Sequence, residues 1–232
     1  MASTTGSFAR ARSEEQRHER REAILATAAR MLESTRVSEP SLNELARAVG
    51  LAKSNVLRYF ESREAVLLEL FDREYRAWLD ELESRLHDLE PGSDDAAIDR
   101  RTEQIATAVA ESVDARPVFC ELCASAPGVL EHNVSVTVAA DYKRSAVANA
   151  ERLGGLLGPL VGDPSRESMI MLVGGVNLVI GGVWAMSQPS PGMAKAYAEN
   201  PDLAAMRLDL CLAVRELVAT LLVSLRHREP RA

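Results

Sequence analysis

Apolar residues recur along this chain at every third or fourth position, the period of helices that bury one face. Ile24, Ala28, Met31 and Leu32 mark the first such stripe, and Ser13 with Gln16 three residues on gives its opening a capping-box pattern. Thr35 to Pro40 breaks the stripe. Ser41 followed by Glu44 is a second capping box, opening a helix whose buried face is Leu42, Leu45, Ala46 and Val49. Gly50 ends that helix in a predicted left-handed turn, a conformation that side-chain-bearing residues tolerate poorly. Leu51 turns inward and a third helix runs to about Phe60, with Lys53, Ser54, Asn55, Arg58 and Tyr59 facing outward. Ser62 caps a fourth helix from Arg63 to about Leu89, apolar at Val66, Leu67, Leu70, Phe71, Trp78, Leu79 and Leu82.

The same reading continues to the C-terminus. A polar break at Glu90–Asp99 precedes a fifth helix, Asp99 to Ala115, and a short sixth, Val118 to Ala124. A long seventh runs from Val129 to about Leu157, with β-branched residues from Val134 to Val138 weakening its start. Asp163-Pro164 reads as a cap with proline at the first helical position, opening an eighth helix that ends near Gln188-Pro189. SQPSPGM is a predicted loop, and Asn200-Pro201 opens a ninth helix through Leu203, Leu210, Val214, Leu217, Leu221 and Leu225. The expectation is an all-α protein of about nine helices. Residues 1–13 form a flexible arm, 14–62 a three-helix unit and 63–228 a helical body.

Composition narrows this. The 232 residues are 47% hydrophobic but only 4% aromatic, which suits helices better than a β-sandwich. The formal charge is −7, yet residues 1–62 hold ten Lys/Arg against eight Asp/Glu, a balance of +2. The acidic excess therefore lies in the body, and the cationic share lies in the three-helix unit. Three cysteines give no disulfide framework and suit a reducing, cytoplasmic compartment. No apolar stretch for a signal peptide is apparent at the start. The uncharged run Met169–Met186 is long enough for a membrane span, but four glycines and Asn177 interrupt it. A helix apolar all round also serves as the central helix of a soluble bundle, and that reading is preferred, with no membrane partner.

Two helices around a tight turn, the second with a polar outward face, form a helix-turn-helix that sets its second helix in the DNA major groove. Lys53, Ser54 and Asn55 open that helix, where base edges are reached. Asn pairs with adenine and Lys or Arg with guanine. Arg58 reaches base or backbone and the Tyr59 hydroxyl a phosphate, while Ser41 and Arg63, at two helix starts, suit phosphate. One such unit touches too few base pairs for a selective site, so a two-fold homodimer on a roughly palindromic double-stranded operator is expected.

The run Ser41-Leu42-x-x-Leu45-Ala46-x-x-Val49-Gly50-Leu51, then Tyr59-Phe60 and Ser62-Arg63-Glu64, resembles the TetR family of bacterial transcriptional regulators over about residues 14–70. That resemblance implies a repressor, a dimer interface built from the last two helices, and a pocket in the body for a small effector. Two positions depart from the family's pattern. Ala52 stands where a Ser or Thr usually caps the recognition helix, and Leu57 stands where a tyrosine usually reaches the backbone. Leu57 can instead touch sugar or a thymine methyl.

Phe119, His132, Asn177 and Trp184 are the expected effector contacts, for a largely hydrophobic molecule. Cys120 and Cys123 lack the second pair a structural zinc needs, and no cofactor or metal is expected. No nucleophile, base or phosphate-loop spacing argues for catalysis. The competing reading is a helical small-molecule-binding protein or enzyme whose N-terminal helices only pack.

Overall fold

The computed structural model describes residues 4–89 and 95–228, with side chains placed for 14–89 and 99–225. Ten α-helices, one π turn and two 3-10 turns make up the described residues, which contain no strand. The N-terminal unit consists of α1 (Thr4–Leu32), α2 (Leu42–Val49) and α3 (Lys53–Val56). The first helix starts at Thr4, well ahead of the expected start at Ser13. Past Gly6 nothing in that stretch breaks a helix, and Ala and Arg favour one. Ile24, Leu25, Ala28 and Leu32 of α1 meet Leu45, Ala46, Val56 and Phe60 in a small buried core.

Helix α4 (Arg63–Leu86) is the spine of the body, packing on α1, α5, α6 and α7. Ser62 caps it by accepting from the Ala65 amide at 3.0 Å. Trp78 is fully buried, donates its indole N–H to Ser112 Oγ at 2.9 Å, and stacks on Phe119 at 5.1 Å between centroids. Around it stand α5 (Asp95–Asp114), α6 (Pro117–Ser125) with a π turn at Ala126–Leu130, and α7 (Val136–Leu157). The seventh helix starts later than its periodicity suggests. Asn133 is left-handed (φ 59°) and the true cap is Ser135, which accepts from the Val138 amide. The break expected at Glu90–Asp99 lies partly outside the described residues, and α5 already begins at Asp95.

The C-terminal third departs most from the sequence reading. Helix α8 (Arg166–Ser187) is capped by Ser165, not Asp163, whose φ of 48° excludes it as an N-cap. The expected loop after Gln188 holds a helix, α9 (Pro191–Glu199), with Ser190 as cap and Pro191 in the first turn. Asn200-Pro201 makes only a turn, and the last helix, α10, spans Leu210–Arg228. The cap-and-proline signal occurs three times here, and it opens a long helix at none of them.

Helix α8 has an 18-residue window of mean hydropathy 1.9, the one such helix among the described residues. It packs on α6, α7 and α10, burying Leu172, Val173, Val176, Ile180 and Val183. Its glycines serve two purposes. A Cβ on Gly181 would lie 3.3 Å from Ala124 Cα and from the Cys123 carbonyl, and one on Gly175 would lie 3.0 Å from Leu221 Cδ1. These two let α6 and α10 approach. Gly174 and Gly182 meet nothing within 4 Å and face open space.

Candidate nucleic-acid interface and ligand cavity

The turn before α3 follows from its residues. Ser41 Oγ accepts from the Glu44 amide and the Glu44 carboxylate accepts from the Ser41 amide, closing the capping box. The Ser41 amide bond, followed by the Ser41 hydroxyl, holds the Glu44 carboxyl below its ordinary range. Gly50 is left-handed (φ 77°), so its N–H and that of Leu51 return to the last carbonyls of α2. Val56 and Phe60 point into the core, which leaves Lys53, Ser54, Asn55, Leu57 and Arg58 exposed on one face. None of those five side chains makes a hydrogen bond or ion pair among the described residues, so their polar groups are available to a ligand. Ala52 caps α3 with no side-chain bond, and the α-helix proper is short, with a turn from Leu57 to Tyr59.

Arg63 is engaged within the fold. Its guanidinium donates to the carbonyls of Val37 and Pro40, each at 3.0 Å, and pairs with Glu64. It pins the α1–α2 loop to the start of α4. Tyr59 is half-buried, and its carbonyl accepts from Arg21, whose guanidinium lies 4.3 Å above the Phe60 ring and also pairs with Glu69. Arg73 pairs with Glu22, and Glu61 accepts from the Ser135 amide. The reader is thereby tied to α4 and α7. On its other side Glu121 of α6 accepts from the Val37 amide and the Trp184 indole, both at 2.8 Å.

A cavity of 420 Å³ opens between α4, α6, α7 and α8. Phe71, Tyr75, Cys123, Tyr142, Asn149 and Asn177 give it its character. Tyr75 donates its hydroxyl to Asn177 Oδ1 at 2.9 Å, and Asn149 donates to Asp72 Oδ1 at 2.9 Å. Burial pushes the Tyr75 and Tyr142 phenols up and raises the Cys123 thiol to about 12. These groups are therefore neutral donors at physiological pH. Asp72 is the single charged side chain on the wall, and it is already paired with Arg76.

Of the expected effector contacts only Asn177 lines this cavity. Phe119 is fully buried beneath it in the aromatic stack, Trp184 is committed to Glu121, and His132 is exposed on the turn after α6. Also on its wall are Phe71 and Tyr75, one turn apart on α4, and Tyr142 and Asn149, two turns apart on α7. Their spacing on amphipathic helices was visible, but it is also the spacing of ordinary core. Among the described residues no three His, Cys, Asp or Glu side chains gather as a metal site.

A three-helix unit with an exposed α3, fixed by side-chain bonds to a helical body that encloses an apolar cavity, is the arrangement of a helix-turn-helix regulator. The family model described as "Tetracyclin repressor-like, C-terminal domain" matches residues 72–228, more than half of the chain, and the chain belongs to the TetR family. The HTH-type transcriptional regulator EthR of Mycolicibacterium smegmatis is 46% identical over 54 residues, covering 23% of this chain and 25% of that relative. The EthR of Mycobacterium tuberculosis strain H37Rv is 45% identical over 51 residues, 22% and 24% of the two chains. The matches thus span only about a quarter of the curated relatives' length. The fatty acid degradation regulator FadR from Bacillus halodurans shares the fold, with a TM-score of 0.55 and 17% identity over 90% of this chain and 97% of that one. A TetR-family regulator structure from Shewanella superposes with a TM-score of 0.51 at 15% identity, over 88% and 97%.

Proposed function

We propose that this chain is a cytoplasmic transcriptional repressor that binds a roughly palindromic DNA operator as a homodimer and releases it when a small, largely apolar effector occupies the α4–α6–α7–α8 cavity. The observation that carries the reading is the exposed α3 face. Lys53, Ser54, Asn55 and Arg58 are the side-chain types that read base edges and phosphates, and no intramolecular partner among the described residues uses them.

A pair of copies is supported by the apolar surface of the last two long helices. Ile170, Met171, Leu178 and Met186 of α8 and Leu212, Leu217 and Val223 of α10 are exposed. A second copy seated there gives the two-fold arrangement a palindrome requires. Effector response is supported by α6, which lines the cavity through Cys123 and Ala124 and holds the reader's Val37 through Glu121. An effector that fits better where α6 has shifted lowers operator affinity by that difference in fit.

The test is selection of bound duplexes from random DNA. It should enrich an inverted repeat with half-sites about one helical turn, or a small multiple of it, apart. The variant Lys53→Glu/Arg58→Glu should lose the selected DNA while keeping its oligomeric state. No enrichment, or undiminished binding by that variant, overturns the reading.

A further inference from the structure

We propose that the cleft between α1 and the turn after α3 is a phosphodiester clamp. In it Arg17 and Arg20, with Arg58 and Tyr59, hold the DNA backbone beside the groove that α3 enters. The proposal rests on the DNA-binding reading above and extends the binding surface to the first helix.

The cleft has a volume of 750 Å³ and is lined by Gln16, Arg17, Glu19 and Arg20 on one side and Arg58 and Tyr59 on the other. Three guanidiniums face a single carboxylate, Glu19, so the cleft carries net positive charge. Several neighbouring arginines are committed within the fold. Arg21 pairs with Glu69, Arg30 donates to Thr27, Arg36 to the Gln188 carbonyl and Arg63 to two loop carbonyls. Arg17, Arg20 and Arg58 have no such partner among the described residues. A cluster of unpaired cations is unfavourable to hold together, and a polyanion relieves it.

Three features identify that polyanion as DNA backbone. The cleft is continuous with the reading face, because Arg58 belongs to both. Its two walls are held in register, since Arg21 bonds the Tyr59 carbonyl from α1. Its lining is hydrophilic, which suits a hydrated phosphodiester and not an apolar effector. Guanidinium groups bind phosphate oxygens in a planar, two-point geometry, and the Tyr59 hydroxyl adds a donor. Such contacts set position without reading sequence.

The experiment measures affinity of the full chain for a 30-base-pair duplex selected by the wild type, and for its scrambled counterpart, across a series of KCl concentrations. Arg17→Gln/Arg20→Gln should lower the slope of log K against log salt by about 0.9 for each phosphate no longer neutralised, up to about 3.6 for a symmetric pair. The ratio of selected to scrambled affinity should stay unchanged. Arg166→Gln serves as the charge control. It lies at the start of α8, whose far end meets the reader through Gln188, and it should keep the wild-type slope. An unchanged slope in the double variant overturns the clamp. So does a changed sequence preference at constant slope, or an equal slope change in the Arg166 variant. Failure of the wild type to bind any duplex at low salt would instead overturn the DNA-binding reading itself.

Discussion

The carboxylate of Glu121 lies 2.8 Å from the backbone amide of Val37, although 84 residues separate them in the chain. Its second oxygen accepts from the Trp184 indole. A buried side chain on a cavity-lining helix thus holds both the reader's first loop and the helix proposed to meet a second copy.

Replacing Glu121 by Gln leaves one acceptor oxygen for two N–H donors and turns an NH2 toward the other. The expected cost is about 1.5–3 kcal/mol, since bonds to charged groups lie in that range. Urea unfolding measures it. An unchanged midpoint would mean that the two bonds contribute nothing to holding the reader.

Ala52 sits in extended geometry (φ −68°, ψ 147°) at the start of α3, where a side-chain oxygen would meet the amide of Ser54 or Asn55. Ala52→Ser should raise stability by about 1 kcal/mol. A thermal melt that does not move upward would show that the first turn of α3 needs no side-chain cap.

Gly181→Ala places a methyl against α6 backbone atoms, which cannot rotate away. The cost should be about 1–3 kcal/mol, with α6 pushed out and the cavity wall displaced. The same substitution at Gly182 meets open space and should not destabilise the monomer. Comparing the two melts separates packing from mere loss of glycine.

Burial raises the Cys123 thiol to about 12, so at pH 8 only about one molecule in ten thousand carries the reactive thiolate. Alkylation of Cys123 in the native protein should be correspondingly slow and become fast on unfolding, as read by mass spectrometry. The unfolded thiol ionises near its ordinary value while the folded one stays protonated. The protection is therefore complete below the ordinary value and is lost progressively up to about pH 12. Native labelling at the rate of an exposed thiol would contradict this burial.

The reader was legible in the sequence because its determinants are local. Ser41 with Glu44 three residues on, and Gly50 at a turn, act within a few residues, and each does in the fold what its position suggests. The bonds of Arg63 were not legible, because a helix start looks the same whether or not its arginine bonds two loop carbonyls more than twenty residues away. The cavity was nearly illegible for the same reason. Phe71, Tyr75, Tyr142 and Asn149 converge only when α4 and α7 pack, and the four-residue spacing of Phe71 and Tyr75 is shared by ordinary core residues such as Trp78 and Leu82. Proline after a capping residue also proved ambiguous. Ser190-Pro191 begins a helix, whereas Asn200-Pro201 turns and stops, because the residues that follow decide whether the helix propagates.

In its proposed role as an effector site, the cavity would also act as a charge filter through its wall. Its one ionised group is an aspartate, and no lysine or arginine stands on it to receive an acid. A carboxylate or phosphate entering there would lose its water without gaining a counter-ion, a penalty apolar contacts do not readily offset. Neutral molecules meet no such barrier, and tyrosine and asparagine groups are in place to orient them. Under the proposed function, acidic metabolites are therefore disfavoured as effectors before shape is even considered.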